Sequence, residues 1–354
     1  MGVGARLAVP ALLLGGAVSS VAIGGVIWAE SAGRAVVEHR WDQTSRDAAA
    51  GEPPLRLPTI PEVWPLEEED KARIAREQIQ ALKDRHERRQ LFAAAAIASA
   101  SAGASIASKP FVAPADPLAE LNLDEIAQKA AVTRGEHLVM VRGGCAGCHG
   151  AELRGGVPGP DGRRTPPANP AGWSTRDWDR LLRHGVGRDG TAAWMPIAIT
   201  ASWSDRDISD LAAFLATVDP APPTAPEPEL GWWERVEVGA GLRVPDAARV
   251  DHTRTLPQRP PPETPDAAFG RATASTCLGC HGDPAAPLGS DDAFAALSSD
   301  LSARVAGWSA NDLIHLLATG TSPRGGRPLS VHPRGFSAVE REAITAWVQG
   351  QRAR

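Results

Sequence analysis

Apolar positions along the chain fall into one unbroken run near the N-terminus and, further on, several stretches at helical spacing. From Leu7 to Ala29 no residue is charged, which at helical rise is long enough to cross a bilayer. Arg6 precedes the run, and Glu30, Arg34 and Glu38 follow it. Residues 1–30 are therefore expected to form a single-pass membrane anchor. A cleaved signal peptide is the alternative, because small residues crowd the segment, although its length exceeds a usual signal core. Either way the remainder of the chain lies outside the cytoplasm.

Residues 31–120 are polar and punctuated by proline, a linker pattern, with one charged helix inside it. After Trp64-Pro65 the acids Glu67 to Asp70 open that helix and Arg85, Arg88 and Arg89 close it, a polarity that suits the helix dipole. Ile74, Ile79 and Leu82 form only a sparse apolar stripe, so the helix is expected to be solvated. Phe92 to Ser108 is mostly Ala, Ser and Gly, weakly hydrophobic for insertion. The basic residues before it resemble a positive-inside flank and keep a second span open.

Two copies of one helical pattern occupy the rest of the chain. Residues 171–185 read AGWSTRDWDRLLRHG and 306–320 read AGWSANDLIHLLATG. Each is followed by a further amphipathic helix, from Ser204 and from Ser337. The pattern predicts an all-α chain with two tandem units, 121–218 and 264–351. The proline-rich segment 219–263 between them is expected to act as a linker that holds the units apart.

Composition adds limits. Of the 354 residues 43% are apolar, 31 are proline and none is tyrosine, so the chain can bury only modest cores. A formal net charge of −5 gives no basic field for nucleic acid, which is not expected as a partner.

All four cysteines sit in two words, Cys145-Ala-Gly-Cys148-His149 and Cys277-Leu-Gly-Cys280-His281. Two thiols at this spacing on a helical turn can reach one porphyrin edge, and the adjacent histidine can present an imidazole to iron. C-x-x-C-H therefore reads as a covalent haem attachment site, and two words predict two molecules of haem c. A Cys₄ zinc site or a thioredoxin-like redox pair is the competing explanation. Neither accounts for the histidine in both words or for the duplicated helices downstream.

A second axial ligand must come from beyond the cysteine helix. Of three methionines, Met1 is remote and Met140 lies on the helix leading into Cys145, which leaves Met195 in the loop Ala193-Trp194-Met195-Pro196. His184 competes for this haem. After His281 there is no methionine, and the last lysine is Lys129. His332, in the loop equivalent to Met195-Pro196, is the expected second ligand of the other haem. An open or water-bound iron, His315 and His252 remain alternatives. The metal ligands read from the sequence are thus His149 with Met195, and His281 with His332.

RGEHLVMVRGGCAGCHG (134–150), the turn near Asn169, GWSTRDWDRLLRHG (172–185), Met195-Pro196 and SDRDISDLAAFL (204–215) resemble class I cytochrome c domains, as do FGRATASTCLGCHG (269–282) and its downstream helices. They are most similar to the haem domains of membrane-bound cytochromes and of cytochrome subunits of dehydrogenases. The resemblance implies compact all-α units whose N- and C-terminal helices, Ala127 to Val141 and Ser204 to Val218 in the first, cross near the haem. It implies an electron carrier at the cell membrane, with haem domains on the periplasmic side. A dehydrogenase or quinol-oxidising complex would be the donor, and a terminal oxidase or another carrier the acceptor. A dihaem peroxidase-like enzyme or a haem sensor is the alternative. His/Met ligation favours ferrous iron more than His/His does, so the C-terminal haem is expected to have the lower potential.

Overall fold

The computed structural model describes residues 25–41, 55, 57–100, 110–119, 121–157, 165–170, 172–220, 230–283, 285–323 and 335–352, with only the backbone for 92–100. Among these residues the chain is helical and forms no β-strand, in keeping with the all-α expectation; two isolated bridges join Val186 to Ala192 and Val250 to Leu288. His332 and residues 7–24 of the apolar run lie outside the described residues. Among those described, no helix is long and apolar enough to cross a membrane. The chain divides into two compact units, one of residues 63–131 and one of residues 1–62 with 132–354.

The smaller unit is built on α2 (Glu68–Ala100), with α1 denoting the helix at 25–38 of the larger unit. Charged pairs one turn apart lace the surface of α2, such as Lys71 with Glu68 at 2.8 Å and Arg73 with Glu77 at 3.1 Å. The helix runs through Phe92 to Ala100 without a break, because alanine carries the highest helix propensity.

The first copy opens on α3 (Leu123–His137), which the division after residue 131 cuts, and continues in the larger unit with a five-residue π-helical turn Leu138–Arg142, α4 (Ala146–His149), α5 (Thr175–His184) and α6 (Asp205–Leu215). After α7 (Trp232–Gly239) comes the second copy: α8 (Ala267–Ala274), α9 (Leu278–His281), α10 (Asp291–Arg304), α11 (Ala310–Thr319) and α12 (Ala338–Arg352). The repeated letters of the sequence are helix punctuation. Ser174 and Ser309 cap α5 and α11 in reciprocal boxes with Asp177 and Asp312, and Gly185 and Gly320 end them at φ 68° and 69°.

In each copy the first and last helices cross on a glycine. A Cβ on Gly135 would stand 1.9 Å from the Asp210 carbonyl oxygen, and one on Gly270 1.9 Å from that of Ala343. Only glycine admits backbones this close. The cores flank these crossings: Leu138, Val139, Trp178, Trp203, Ile208 and Leu211 in the first copy, and Phe294, Leu297, Leu313, Ile344, Trp347 and Val348 in the second.

The connector is not the spacer its prolines predict. Its α7 lies against α1, where a Cβ on Gly239 would stand 1.7 Å from the Ala29 carbonyl oxygen, and further on it folds onto the copies, burying Ala247 beside Val186 and Ala192 and Val250 beside Ile197, Ala201 and Leu288. Asp246 accepts from the Ile197 N–H at 2.8 Å, and Arg254 donates to the carbonyls of Arg183 and Ala201 at 2.5 and 2.8 Å. Toward the second copy, Arg249 donates to the Ala286 carbonyl at 3.2 Å and its own carbonyl accepts from Leu288. The apolar residues between the prolines supply enough buried surface to hold the segment down, while Pro257 contributes its carbonyl to the Asp205 N–H.

Candidate functional site

Each cysteine-histidine word forms one helical turn with the same disposition. Cys145 starts α4, is half-buried and packs against the first core, whereas Cys148 is exposed. Cys277 precedes α9, packs against the second core, and Cys280 is exposed. No disulfide joins the four. Burial pushes the Cys145 thiol up to about 11 and the Cys277 thiol up to about 12, so both are protonated at neutral pH. All four cysteines are described, yet among the described residues no group of three or more Cys, His, Asp or Glu comes together to hold a metal. A Cys₄ zinc cluster is not assembled, and with no β-strand among the described residues there is no thioredoxin-like setting.

The two histidines are anchored through one nitrogen. His149 Nδ1 donates to the Pro166 carbonyl oxygen at 2.7 Å, since a carbonyl can only accept. That fixes the tautomer in which Nε2 carries the lone pair a metal requires. Thr165 reinforces the loop by donating to the Cys148 carbonyl at 2.5 Å, and Asn169 ties it to Val218 at the end of the copy. His281 Nδ1 meets Oδ2 of Asp300 at 2.8 Å, on α10. Arg304 Nε reaches the same oxygen at 2.7 Å. Arg304 and then His281 hold the Asp300 carboxyl below its ordinary range, so it is ionised.

Met195 is half-buried and packs against the same core as Cys145, Ala146 and Trp178. His184 is buried and turned elsewhere: its Nδ1 lies 3.1 Å from Nδ1 of His252, and the rings stack. His252 Nε2 donates to the Ala247 carbonyl at 3.0 Å, so one of its nitrogens is engaged within the connector and the other with His184. Desolvation, helped by the positive charge of Arg254, pushes His184 down to about 2 and keeps it neutral. His315 is exposed on α11.

The segments entering the two words touch. Thr276, next to Cys277, donates to the Arg142 carbonyl at 2.8 Å, and the Arg142 guanidinium donates to the Ala272 carbonyl at 3.1 Å. His137 and Glu340 pair at 2.8 Å across the same seam. Burial alone would raise the Glu340 carboxyl, but the His137 and Ser337 hydrogen bonds, with the charges of His137 and Arg142, outweigh it and leave it lowered.

Pro166, Asp300, Arg142 and the crossing glycines carry no signal of their own in the sequence. Their roles come from partners distant along the chain, as with the 19 residues between His281 and Asp300.

These residues suit a covalently held haem: an exposed cysteine beside a packed one, and a histidine with one nitrogen tethered and the other available. No curated protein matches the chain. Residues 132–219, which hold Cys145, Cys148, His149 and Met195, match the cytochrome c family model, and a cytochrome c domain implies covalently bound haem c and supports a c-type cytochrome with a haem-based role in electron transfer.

Proposed function

We propose that the chain is a dihaem c-type cytochrome that carries electrons outside the cytoplasm, anchored in the membrane by its N-terminal apolar run. Bound haem supplies a one-electron change of iron valence. Cys145 and Cys148 would hold one haem and Cys277 and Cys280 the other, with His149 and His281 as axial ligands. Met195 would be the second ligand in the first copy and His332 in the other.

The observation that carries the two-haem reading is the likeness of the copies around the words. Both pack the first cysteine and expose the second, and both tether the histidine through Nδ1. Both also follow the word with a boxed helix ended by a left-handed glycine. A site at the membrane draws support from Ile27 and Trp28 on α1 and Trp232 and Trp233 on α7, all exposed. Tryptophan favours the level of the lipid headgroups. The helices α1 and α7 are held together by Glu30 and Arg235 at 2.8 Å. The partners would be a dehydrogenase or quinol-oxidising complex as donor and a terminal oxidase or further carrier as acceptor.

Intact mass and haem staining of a denaturing gel test the count. Two added haems are expected, falling by one in Cys148→Ser and by one in Cys280→Ser. A chain that carries one haem, or none with zinc in its place, refutes the proposal. Removing residues 1–29 behind a cleavable export signal should release a soluble, haem-loaded protein, and retention in the membrane fraction would count against the anchor.

A further inference from the structure

The two histidines are tethered to acceptors of different charge. His149 Nδ1–H donates to a neutral backbone carbonyl, whereas His281 Nδ1–H donates to a carboxylate on α10, a helix that the described residues of the first copy do not contain. Resting on the two-haem reading, we propose that Asp300 is a positioning residue that makes His281 a stronger donor and lowers the potential of the second haem, and that Arg304 limits the effect.

A carboxylate draws the Nδ1 proton toward itself, and electron density moves through the ring to Nε2. A more basic ligand favours ferric over ferrous iron. Hydrogen bonds to an ionised acceptor are roughly twice as strong as neutral ones. Arg304 Nε lies 2.7 Å from the same Oδ2 that accepts from His281, so its charge opposes that of the carboxylate where the imidazole feels it. Asp300 is about a third exposed, with a side-chain accessibility of 33%, and solvent screening moderates the result. The effect would pass through His281 and does not call on His332.

The experiment is a spectroscopic redox titration of the full haem-loaded chain, with covalent haem counted by intact mass. Asp300→Asn should lower the ferric-to-ferrous ratio of one haem about tenfold at fixed ambient potential, an upward midpoint shift of about 59 mV for a one-electron couple. Arg304→Ala should shift the same haem downward, Asp300→Glu should restore part of the shift, and the other haem should not move. An unchanged midpoint in Asp300→Asn with both haems attached overturns the proposal, as do shifts of one sign in both variants, which would indicate altered packing. If Asp300→Asn fails to attach its second haem, Arg304→Ala decides: a downward shift supports the proposal, and no shift or an upward one overturns it. A wild-type chain with a single haem instead defeats the two-haem reading beneath it.

Discussion

Gly270→Ala tests the helix crossing on which the second copy rests. The added Cβ would stand 1.9 Å from the Ala343 carbonyl oxygen and 2.9 Å from Trp347 Cβ, where ordinary contact begins at 3.4 Å. The obstacle is backbone, which no rotamer change relieves, so α8 and α12 must part by about 1.5 Å. Trp347, Ile344 and Val348, each 3% exposed or less, would lose part of their contact along the opened crossing. A gap of 0.5–1 Å already forfeits about a quarter to a half of the dispersion well. Overpacking typically costs about 1–3 kcal/mol, and a backbone clash sits at the upper end or beyond. Alanine returns about 1 kcal/mol of helix propensity, which leaves a net loss of ~2–3 kcal/mol. The second copy lies wholly in the larger compact unit, so the slope of a large domain applies, roughly 2–4 °C per kcal/mol. The midpoint of thermal unfolding, followed by far-ultraviolet circular dichroism, should fall by roughly 4–12 °C. Gly350→Ala is the matched control: it lies in the same α12 with nothing within 4 Å of its added Cβ, so it should gain the propensity without the clash. A Gly270→Ala chain that melts with or above Gly350→Ala would refute the close crossing.

Two further outcomes follow from the seam and the first core. The Glu340 carboxyl is lowered in the folded chain, so its contribution to stability is fully present above its ordinary value of 4.5 and is lost as pH falls through the lower folded value. Glu340→Gln should flatten denaturant stability against pH in that acidic window and cost roughly 1–3 kcal/mol at pH 7, and an unchanged slope would refute the coupling. Met195→His should lower the midpoint of the first haem and remove its near-infrared sulfur-to-iron band, and an unaltered band would exclude Met195 as the ligand.

What the sequence discloses and what it hides divide along the range of the interactions. Capping boxes act over three residues and a left-handed glycine over one, so α5 and α11 are legible as a repeat of letters. The same local logic places the last helices, which Ser204 with Asp207 and Ser337 with Glu340 open in the same way. The helix expected over Ala127 to Val141 is present but starts at Leu123 and widens to a π turn at Leu138, a change set by packing against the core rather than by propensity. The connector misleads because proline content conceals how few apolar residues are needed to pin it. Ala247 is fully buried, and a Cβ on Gly185 would reach its backbone nitrogen at 2.9 Å. α10 is hidden in another way, since its register against the Cys277 word has no counterpart in the repeat and so nothing points to Asp300.

Taken position by position, the two copies agree in their scaffold and differ around the histidines. The crossing glycines, the boxed serines, the left-handed glycines and the packed first cysteines correspond. The buried pair of Arg183 with Asp179, which also engages Asp205 at 2.8 Å, has no equivalent, because Ile314 and Ala318 stand at those places in the second copy. A buried pair of this kind costs desolvation, and here burial raises Asp179 despite the neighbouring guanidinium. The carboxylates that open the last helices show how a small difference is used. Asp207 closes its own box and stands 3.8 Å from Arg142, while Glu340, one methylene longer, closes its box and still reaches His137 in the other copy. Both carboxylates therefore face the segment from α3 into the Cys145 word, one from within the copy and one across the seam. Each copy thus braces the approach to the first word, and a change in Glu340 should be felt at His137 and Arg142 before it is felt at its own histidine, His281.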